Sequence, residues 1–195
     1  MLLRVAAWGP RIATPDQGIR ATVVGASQYT IQVSGATIFV EPQGTLPLRN
    51  VPVITPDLAL GNDAFTDEPI EPQAIADAIQ TALRRMDLHE AAQAVALCYR
   101  WSGSASYARL DAFCRGLALG LHEHMAQGLP VVLVGDGDVG GLVGIHLHSE
   151  LHHTSPLVSI DGITLKEFDF IDVGALMEVS GAVPVVIKSL VFPAA

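Results

Sequence analysis

Apolar and polar positions alternate with two different periods along this chain of 195 residues. Near the start, Tyr29, Ile31 and Val33 alternate with polar neighbours, and this period of two predicts a strand with one buried face. Three more short apolar runs occupy 21–24, 37–40 and 50–54, with Gly25, Gly35 and Gly44 around them. Glycines between short strands are typical of hairpin turns, so residues 19–54 are predicted to be rich in β-hairpins.

Beyond residue 71 the pattern changes to helices that alternate with apolar strands. Pro72 suits a first helical turn, and Ile75, Ile79 and Leu83 then recur at helical spacing. Further helices are predicted from Ser104, with a stop at Gly128, and over 139–151; the predicted strands are 94–99, 130–134, 157–160 and 183–191. Helix and strand in alternation predict an α/β fold with a mostly parallel sheet flanked by helices.

A polar connection separates these two regions. Residues 55–71 hold prolines, glycine and several acids, among them Asp57, Asp63 and Asp67. The expected organisation is a lead segment at 1–18, followed by a single α/β domain at 19–195. Within that domain 19–54 is β-rich, 55–71 connects, and 72–195 alternates helix and strand.

Charge and hydropathy restrict the class of protein. The formal net charge is −9, which disfavours binding to nucleic-acid phosphates. The mean hydropathy is +0.40, yet no apolar run reaches the roughly 18 residues that cross a bilayer. The first residues lack the basic-then-apolar order of a signal peptide, so a cytoplasmic protein without a membrane partner is expected. Cys98 and Cys114 are expected to be buried, reduced thiols.

One glycine motif resembles a phosphate-binding loop. Gly135, Gly137 and Gly140 fit G-x-G-x-x-G between a predicted strand and a predicted helix, and Asp161 ends the next strand about 20 residues later. An alternative function is therefore a nucleotide- or dinucleotide-binding α/β domain that uses these four residues. Two aspartates inside the loop would repel pyrophosphate, however, so the favoured interpretation is a tight strand-to-helix turn that needs glycines for close packing.

Histidines suggest a second alternative, a His-rich metal-binding module. His148 and His152 are four residues apart, so on a helix they would share a face and could chelate one ion. No H-E-x-x-H or C-x-x-C pattern accompanies them. A solvated polar face is the favoured interpretation of these histidines.

The segment Phe168 to Gly174 is predicted to be an acidic loop before the last strand. Asp161, Asp169 and Asp172 could form a carboxylate site for Mg²⁺. The favoured interpretation is that these aspartates cap turns while the neighbouring aromatic residues enter the core. Ser102, Ser104 and Ser106 lack the G-x-S-x-G context of a serine hydrolase, and no catalytic residue is assigned.

Several segments together resemble one family. They are Arg20-Ala-Thr-Val-Val-Gly-Ala26, Val33-Ser-Gly-Ala-Thr-Ile38, Leu46-Pro-Leu-Arg-Asn-Val-Pro52, and the tail from Ile160-Asp-Gly to Phe192. In these segments the chain resembles the C-terminal part of the ethanolamine ammonia-lyase reactivating factors, the EutA family. The resemblance runs from about Ile19 to Phe192.

This resemblance implies a fold and a function. Family members are longer, resemble the actin–Hsp70 ATPase superfamily, and are chaperone-like. They use ATP to help release damaged cobalamin from inactivated lyase, so that fresh adenosylcobalamin binds. The chain would then be an actin-like C-terminal subdomain that acts by protein–protein contact. Its expected partners are ethanolamine ammonia-lyase and an N-terminal ATPase half.

The resemblance also implies what this chain lacks. The family's phosphate loops and adenosine loop belong to the part that precedes Ile19, so no catalytic residue is carried over to this chain. ATP and Mg are expected for the full-length family, and neither cofactor nor enzymatic activity for this chain alone. A fragment, a domain or a truncated gene product would each fit. Association with a bacterial microcompartment is a further expectation.

Overall fold

A computed structural model of the protein describes residues 27–34, 37–61 and 67–190, without the side chains of residues 27, 28 and 190. Several sequence-based predictions lie outside these residues. They are the lead segment 1–18, the strand at 21–24, the family-like segment from Arg20, the turns at Gly25 and Gly35, and Asp63 in the connection.

Strands and helices alternate through most of the described chain. The strands are β1 (Ser27–Val33), β2 (Phe39–Glu41), β3 (Leu48–Ile54), β4 (Val95–Tyr99), β5 (Val131–Gly135), β6 (Leu157–Ile160), β7 (Phe170–Val173) and β8 (Pro184–Leu190). The helices are α1 (Pro72–Arg85), α2 (Tyr107–Gly120), α3 (His122–Ala126) and α4 (Gly140–Ile145), and α4 continues into a π-helical turn at His146–Glu150. A 3₁₀ turn at Gln43–Thr45 precedes β3.

All these strands join one sheet in the order β1-β8-β7-β3-β4-β5-β6-β2. The four central strands, β3 to β6, run parallel, and the outer pairs are antiparallel. The α/β class is confirmed, but the prediction of a mostly parallel sheet is wrong because the sheet is mixed. Parallel pairing needs a crossover, and within the described residues the α-helices lie between β3 and β6.

The predicted β-hairpins are absent from the described residues. β1 pairs with β8, β2 pairs with β6, and β3 pairs with β4 and β7, so no two of the first three strands are neighbours. Gly44 lies in the turn between β2 and β3, as expected, but each of these two strands pairs with a strand that is far away in sequence.

The stripe on β1 also differs from its prediction. Tyr29, Ile31 and Val33 are 63%, 71% and 54% exposed, although their alternation predicts a buried face. β1 ends the described sheet and its registered neighbour is β8 alone. Alternation correctly placed the three side chains on one face, but that face is the outer one.

Two hydrophobic cores hold the sheet in place. On one face Ile54, Leu97 and Leu133 pack against apolar residues of α1 and α2, such as Ile79 and Phe113. The other face, including Val53, Ala96 and Val132, packs with Ile163 and with the inner side of β7 and β8. The predicted flanking helices therefore cover one face, and the second face is covered because the sheet curls.

One local prediction is confirmed and two need adjustment. The helix at Pro72 is confirmed, whereas the next helix is capped at Ser106 rather than at Ser104. The predicted loop from Phe168 contains strand β7, in which Ile171 and Val173 are buried while Asp172 faces outward. An alternation of only four residues, with Asp172 inside it and Asp169 just before it, is too short to stand out in the sequence.

Candidate functional site

Loops that follow the parallel strands meet at one end of the sheet and enclose a cleft of about 400 Å³. Such carboxyl-terminal edges are the usual position of ligand sites in open α/β sheets. Polar lining comes from Thr55, Asp57, Arg100, Ser102, Asp136 and Thr164. Apolar lining comes mainly from Leu58, Leu60, Leu165 and Cys98.

The side chain of Arg109 holds two walls of this cleft. It is only 3% exposed, and its guanidinium donates to the carbonyl oxygens of Leu60 at 2.8 Å, Ser102 at 2.6 Å and Ser104 at 3.1 Å. A further hydrogen bond goes to the carbonyl oxygen of Glu68. Five donors in a planar fork suit this task. The polar connection and the 102–104 loop are thereby fixed relative to α2.

Sequence reasoning missed Arg109, although one signal was available. Arg109 precedes Phe113 by four residues, so both lie on the same face of α2. Phe113 is fully buried, and an arginine on a buried helical face must find several acceptors. The acceptors are backbone carbonyls of distant loops, which no local pattern reveals.

A salt bridge sits at the mouth of the cleft. Nε of Arg100 lies 2.9 Å from Oδ2 of Asp136, while Oδ1 of Asp136 accepts a hydrogen bond from the backbone N–H of Trp101 at 3.1 Å. Asp136 is thus neutralised locally. The carboxylate of Asp57 belongs to a different loop and is not neutralised by that pair, so the lining carries one more negative than positive charge.

The glycine motif forms the turn between β5 and α4. A Cβ at Gly135 would lie 3.0 Å from the hydroxyl oxygen of Tyr99, and one at Gly140 would lie 3.0 Å from the carbonyl carbon of Ile160. Gly137 is less confined, since its nearest neighbour would be 3.7 Å away. Close packing is therefore sufficient to explain Gly135 and Gly140, and nucleotide binding by the loop stays a prediction.

Asp161 takes part in an unusual contact with Thr37 and Asp138. The hydroxyl oxygen of Thr37 lies 2.5 Å from Oδ1 of Asp138 and is also within hydrogen-bond distance of Oδ2 of Asp161. A hydroxyl has one proton to donate, so the second contact is a hydrogen bond only when a carboxyl group carries a proton. Burial, with Asp138 adding to it, raises the pKa of Asp161.

The alternative of a metal chelate by His148 and His152 lacks the helical geometry that it requires. The π-helical turn ends at Glu150, and His152 lies beyond it with a φ of 53°. The ring of His148 instead packs against Phe39, with centroids 5.6 Å apart. The shared helical face expected for His148 and His152 is therefore wrong, because the helix ends between them.

The three aspartates considered for Mg²⁺ have separate roles. Oδ2 of Asp169 accepts the backbone N–H of Lys166 at 2.8 Å, which confirms that Asp169 caps a turn. Oδ1 of Asp172 pairs with Lys188 at 2.6 Å. Across the described residues, no group of three or more His, Cys, Asp or Glu side chains is arranged to hold a metal ion.

Both cysteines are free thiols in different surroundings. Cys114 is fully buried, as predicted, and burial raises the pKa of its thiol. Cys98 is only half-buried and lines the cleft, although burial also raises its pKa. Cys98 is therefore the thiol that reports on the cleft.

The helical layer carries a surface, here named the helix patch, in which the exposed side chains of Tyr107, Leu142 and Ile145 lie around the half-buried Asp111 and the buried His146. Nε2 of buried His146 lies 2.9 Å from Oδ1 of Asp111, and the ring of Tyr107 meets the imidazole edge-on with centroids 5.5 Å apart. Tyr107, Leu142 and Ile145 are 67%, 49% and 52% exposed. Sequence reasoning did not identify this surface, because its residues come from two helices.

In the part of the chain that the structure describes, no helix is both long and apolar enough to cross a bilayer.

Known proteins match this chain over almost its whole length. The family model described as ethanolamine utilisation protein EutA matches residues 7–193. Two relatives, from Escherichia coli (strain K12) and Salmonella typhimurium (strain LT2), are each named ethanolamine ammonia-lyase reactivase EutA. Each is 32% identical over 179 residues, covering 92% of this chain and 35% of the relative. The chain thus spans about a third of their length, and no solved structure matches it.

Proposed function

This chain belongs to the EutA family, and from that membership we propose that it forms the C-terminal, non-catalytic part of an ethanolamine ammonia-lyase reactivating factor. The observation that carries the proposal is the match over 7–193 to relatives named as reactivases of that lyase. The resemblance predicted from the tail and the early segments agrees with this membership.

The proposed mode of action is contact with the lyase. An interface is typically anchored by a few aromatic and aliphatic side chains that are surrounded by ordered polar groups. The helix patch has this composition: Tyr107, Leu142 and Ile145 are exposed, while Asp111 and His146 hold each other in place. Arg115 forms an ion pair with Asp111 at 2.7 Å, which helps to hold the Asp111 carboxylate in place. Little side-chain entropy would then be lost on binding.

Hydrolysis of ATP is not part of the proposed role of this chain. Asp138 follows Gly137 and is exposed, and its carboxylate disfavours a polyphosphate at the turn. We propose that ATP and Mg act in the part of the relatives that this chain does not span, and that this part is an actin-like N-terminal ATPase half. That half would be the second partner of this chain, beside the lyase. ATP hydrolysis by the purified chain, at a rate proportional to the concentration of the protein, would contradict this assignment of roles.

The contact role is tested by binding to purified, inactivated ethanolamine ammonia-lyase, followed by size-exclusion chromatography and biolayer interferometry. We expect the wild-type chain to form a complex. Ile145→Asp should weaken it at least about tenfold, since a charge would be buried in the apolar centre of the interface. Val179→Asp is the matched control, because Val179 is fully exposed on the β7–β8 connection. No complex with the wild-type chain would refute the contact role, whereas equal weakening by both variants would refute the helix patch.

A further inference from the structure

We propose that the cleft at the carboxyl ends of β3 and β4 binds a small organic cation, an ammonium group that is carried together with a hydroxyl group. This inference goes beyond contact with the lyase and does not rest on it. It stands on three properties of the cleft: preformed walls, a negative lining, and hydroxyl groups beside an apolar wall.

The walls are preformed because Arg109 ties them together. Its guanidinium donates to the carbonyl oxygens of Leu60 at 2.8 Å and Ser102 at 2.6 Å, and both of these residues line the cleft. One buried side chain thus fixes two loops that are far apart in sequence. A site whose walls are already ordered loses little entropy when a ligand binds.

The charge of the lining favours a cation. Asp57 and Asp136 supply two carboxylates, and Arg100 supplies one guanidinium that is 2.9 Å from Asp136. Asp57 therefore remains to pair with a positive group of the ligand. The chain as a whole carries a net charge of −9, so its field repels anions before they reach the cleft.

The other residues that line the cleft indicate which uncharged groups the ligand carries. Thr55, Ser102 and Thr164 offer hydroxyl groups for a ligand hydroxyl, and Leu60 and Leu165 offer apolar surface for a short carbon chain. A volume of about 400 Å³ holds such a molecule together with water. Because Asp57 is exposed, its charge is screened by solvent and the affinity should be modest.

The first experiment is calorimetric titration of the 195-residue chain with ethanolamine, the simplest molecule of this class. Ethylene glycol has the hydroxyl groups without the charge, and glycolate has the opposite charge. We expect saturable binding of ethanolamine alone. Asp57→Asn should weaken it about threefold, as expected for the loss of one solvent-exposed charge contact. Asp77→Asn makes the same charge change on the exposed surface of α1 and should leave it unchanged.

A second measurement uses Cys98, which lines the cleft, whereas Cys114 is fully buried. In mildly alkaline solution, ethanolamine should reduce the rate of Cys98 alkylation in proportion to the fraction of clefts that it occupies. Ethylene glycol should leave this rate unchanged. The proposal is overturned if ethanolamine shows neither saturable heat nor protection of Cys98 with folded protein. Equal binding of glycolate, or no effect of Asp57→Asn, would also overturn it. A chain that binds the lyase but not ethanolamine would refute only this inference.

Discussion

The guanidinium of Arg109 donates a hydrogen bond to the carbonyl oxygen of Leu60 at 2.8 Å, across 49 residues of sequence. Leu60 belongs to the polar connection, whose described residues, 55–61 and 67–71, form neither helix nor strand. The same guanidinium lies over the ring of Trp101, 5.7 Å from its centroid. A segment that reads as a flexible link is thus anchored to the core by one side chain of α2.

Arg109→Met should destabilise the protein by about 3 kcal/mol or more, since several partly buried carbonyl oxygens would lose their donor. Urea denaturation followed by circular dichroism measures this change. Arg115→Met is the control, because Arg115 forms an exposed ion pair with Asp111 that should contribute less than about 1 kcal/mol. Similar losses for both variants would show that the position of Arg109 in the core is unimportant.

Gly144→Ala should also be destabilising, by about 1–3 kcal/mol. A Cβ at Gly144 would lie 2.4 Å from Cβ of Phe39 on β2, so the edge strand would have to move away from α4. Faster amide hydrogen exchange in β2 would locate the damage. Gly44→Ala has open space around the new methyl group and should change the stability by less than about 0.5 kcal/mol. An unaffected Gly144→Ala variant would show that β2 packs more loosely than described.

Buried histidines should make the fold sensitive to mild acid. Burial lowers the pKa of His124, and burial together with His122 lowers that of His153, from an ordinary value of 6.5. A lowered histidine pKa means that the fold prefers the neutral ring. Stability is then complete above 6.5 and falls as the pH drops through that value toward the folded pKa.

The measurement is the free energy of unfolding between about pH 7.5 and pH 5. The stability lost over this range should be smaller in His124→Gln than in the wild type. His152→Gln provides the comparison, since His152 is exposed. If both variants lose as much stability as the wild type, other groups are responsible for the acid sensitivity.

Asp161 should have the opposite effect on the pH dependence of stability, because it stabilises the fold at low pH. Burial raises its pKa above 3.8, so the fold prefers the protonated carboxyl group. The stabilisation from that proton is complete below 3.8 and is lost as the pH rises through the folded pKa. Asp161→Asn keeps a neutral hydrogen-bonding group for Thr37 at every pH. The variant should therefore gain stability relative to the wild type as the pH rises, and a constant difference would contradict a shared proton at this site.

Some features of this protein follow from the sequence alone. The period of the apolar residues after Pro72 defined α1, and uninterrupted apolar runs defined β4, β5 and β6, because a residue's face on a helix or strand depends only on local geometry. Family membership was also readable, since matching segments are distributed over most of the chain.

Other features depended on partners that lie far away in sequence. Every strand offers the same backbone donors and acceptors, so nothing in β1 or β2 specifies β8 or β6 as the neighbour. The same lack of local information left the outward face of Tyr29, Ile31 and Val33 undetermined.

The site was hidden for the same reason. Thr37 meets Asp161 across 124 residues, and Arg109 closes the cleft through backbone carbonyls that carry no side-chain signature. The sequence by itself determined the elements, the class and the family of this protein. Only the tertiary structure decided which strands pair, which apolar stripe stays exposed, and where the cleft forms, because those depend on contacts between distant segments.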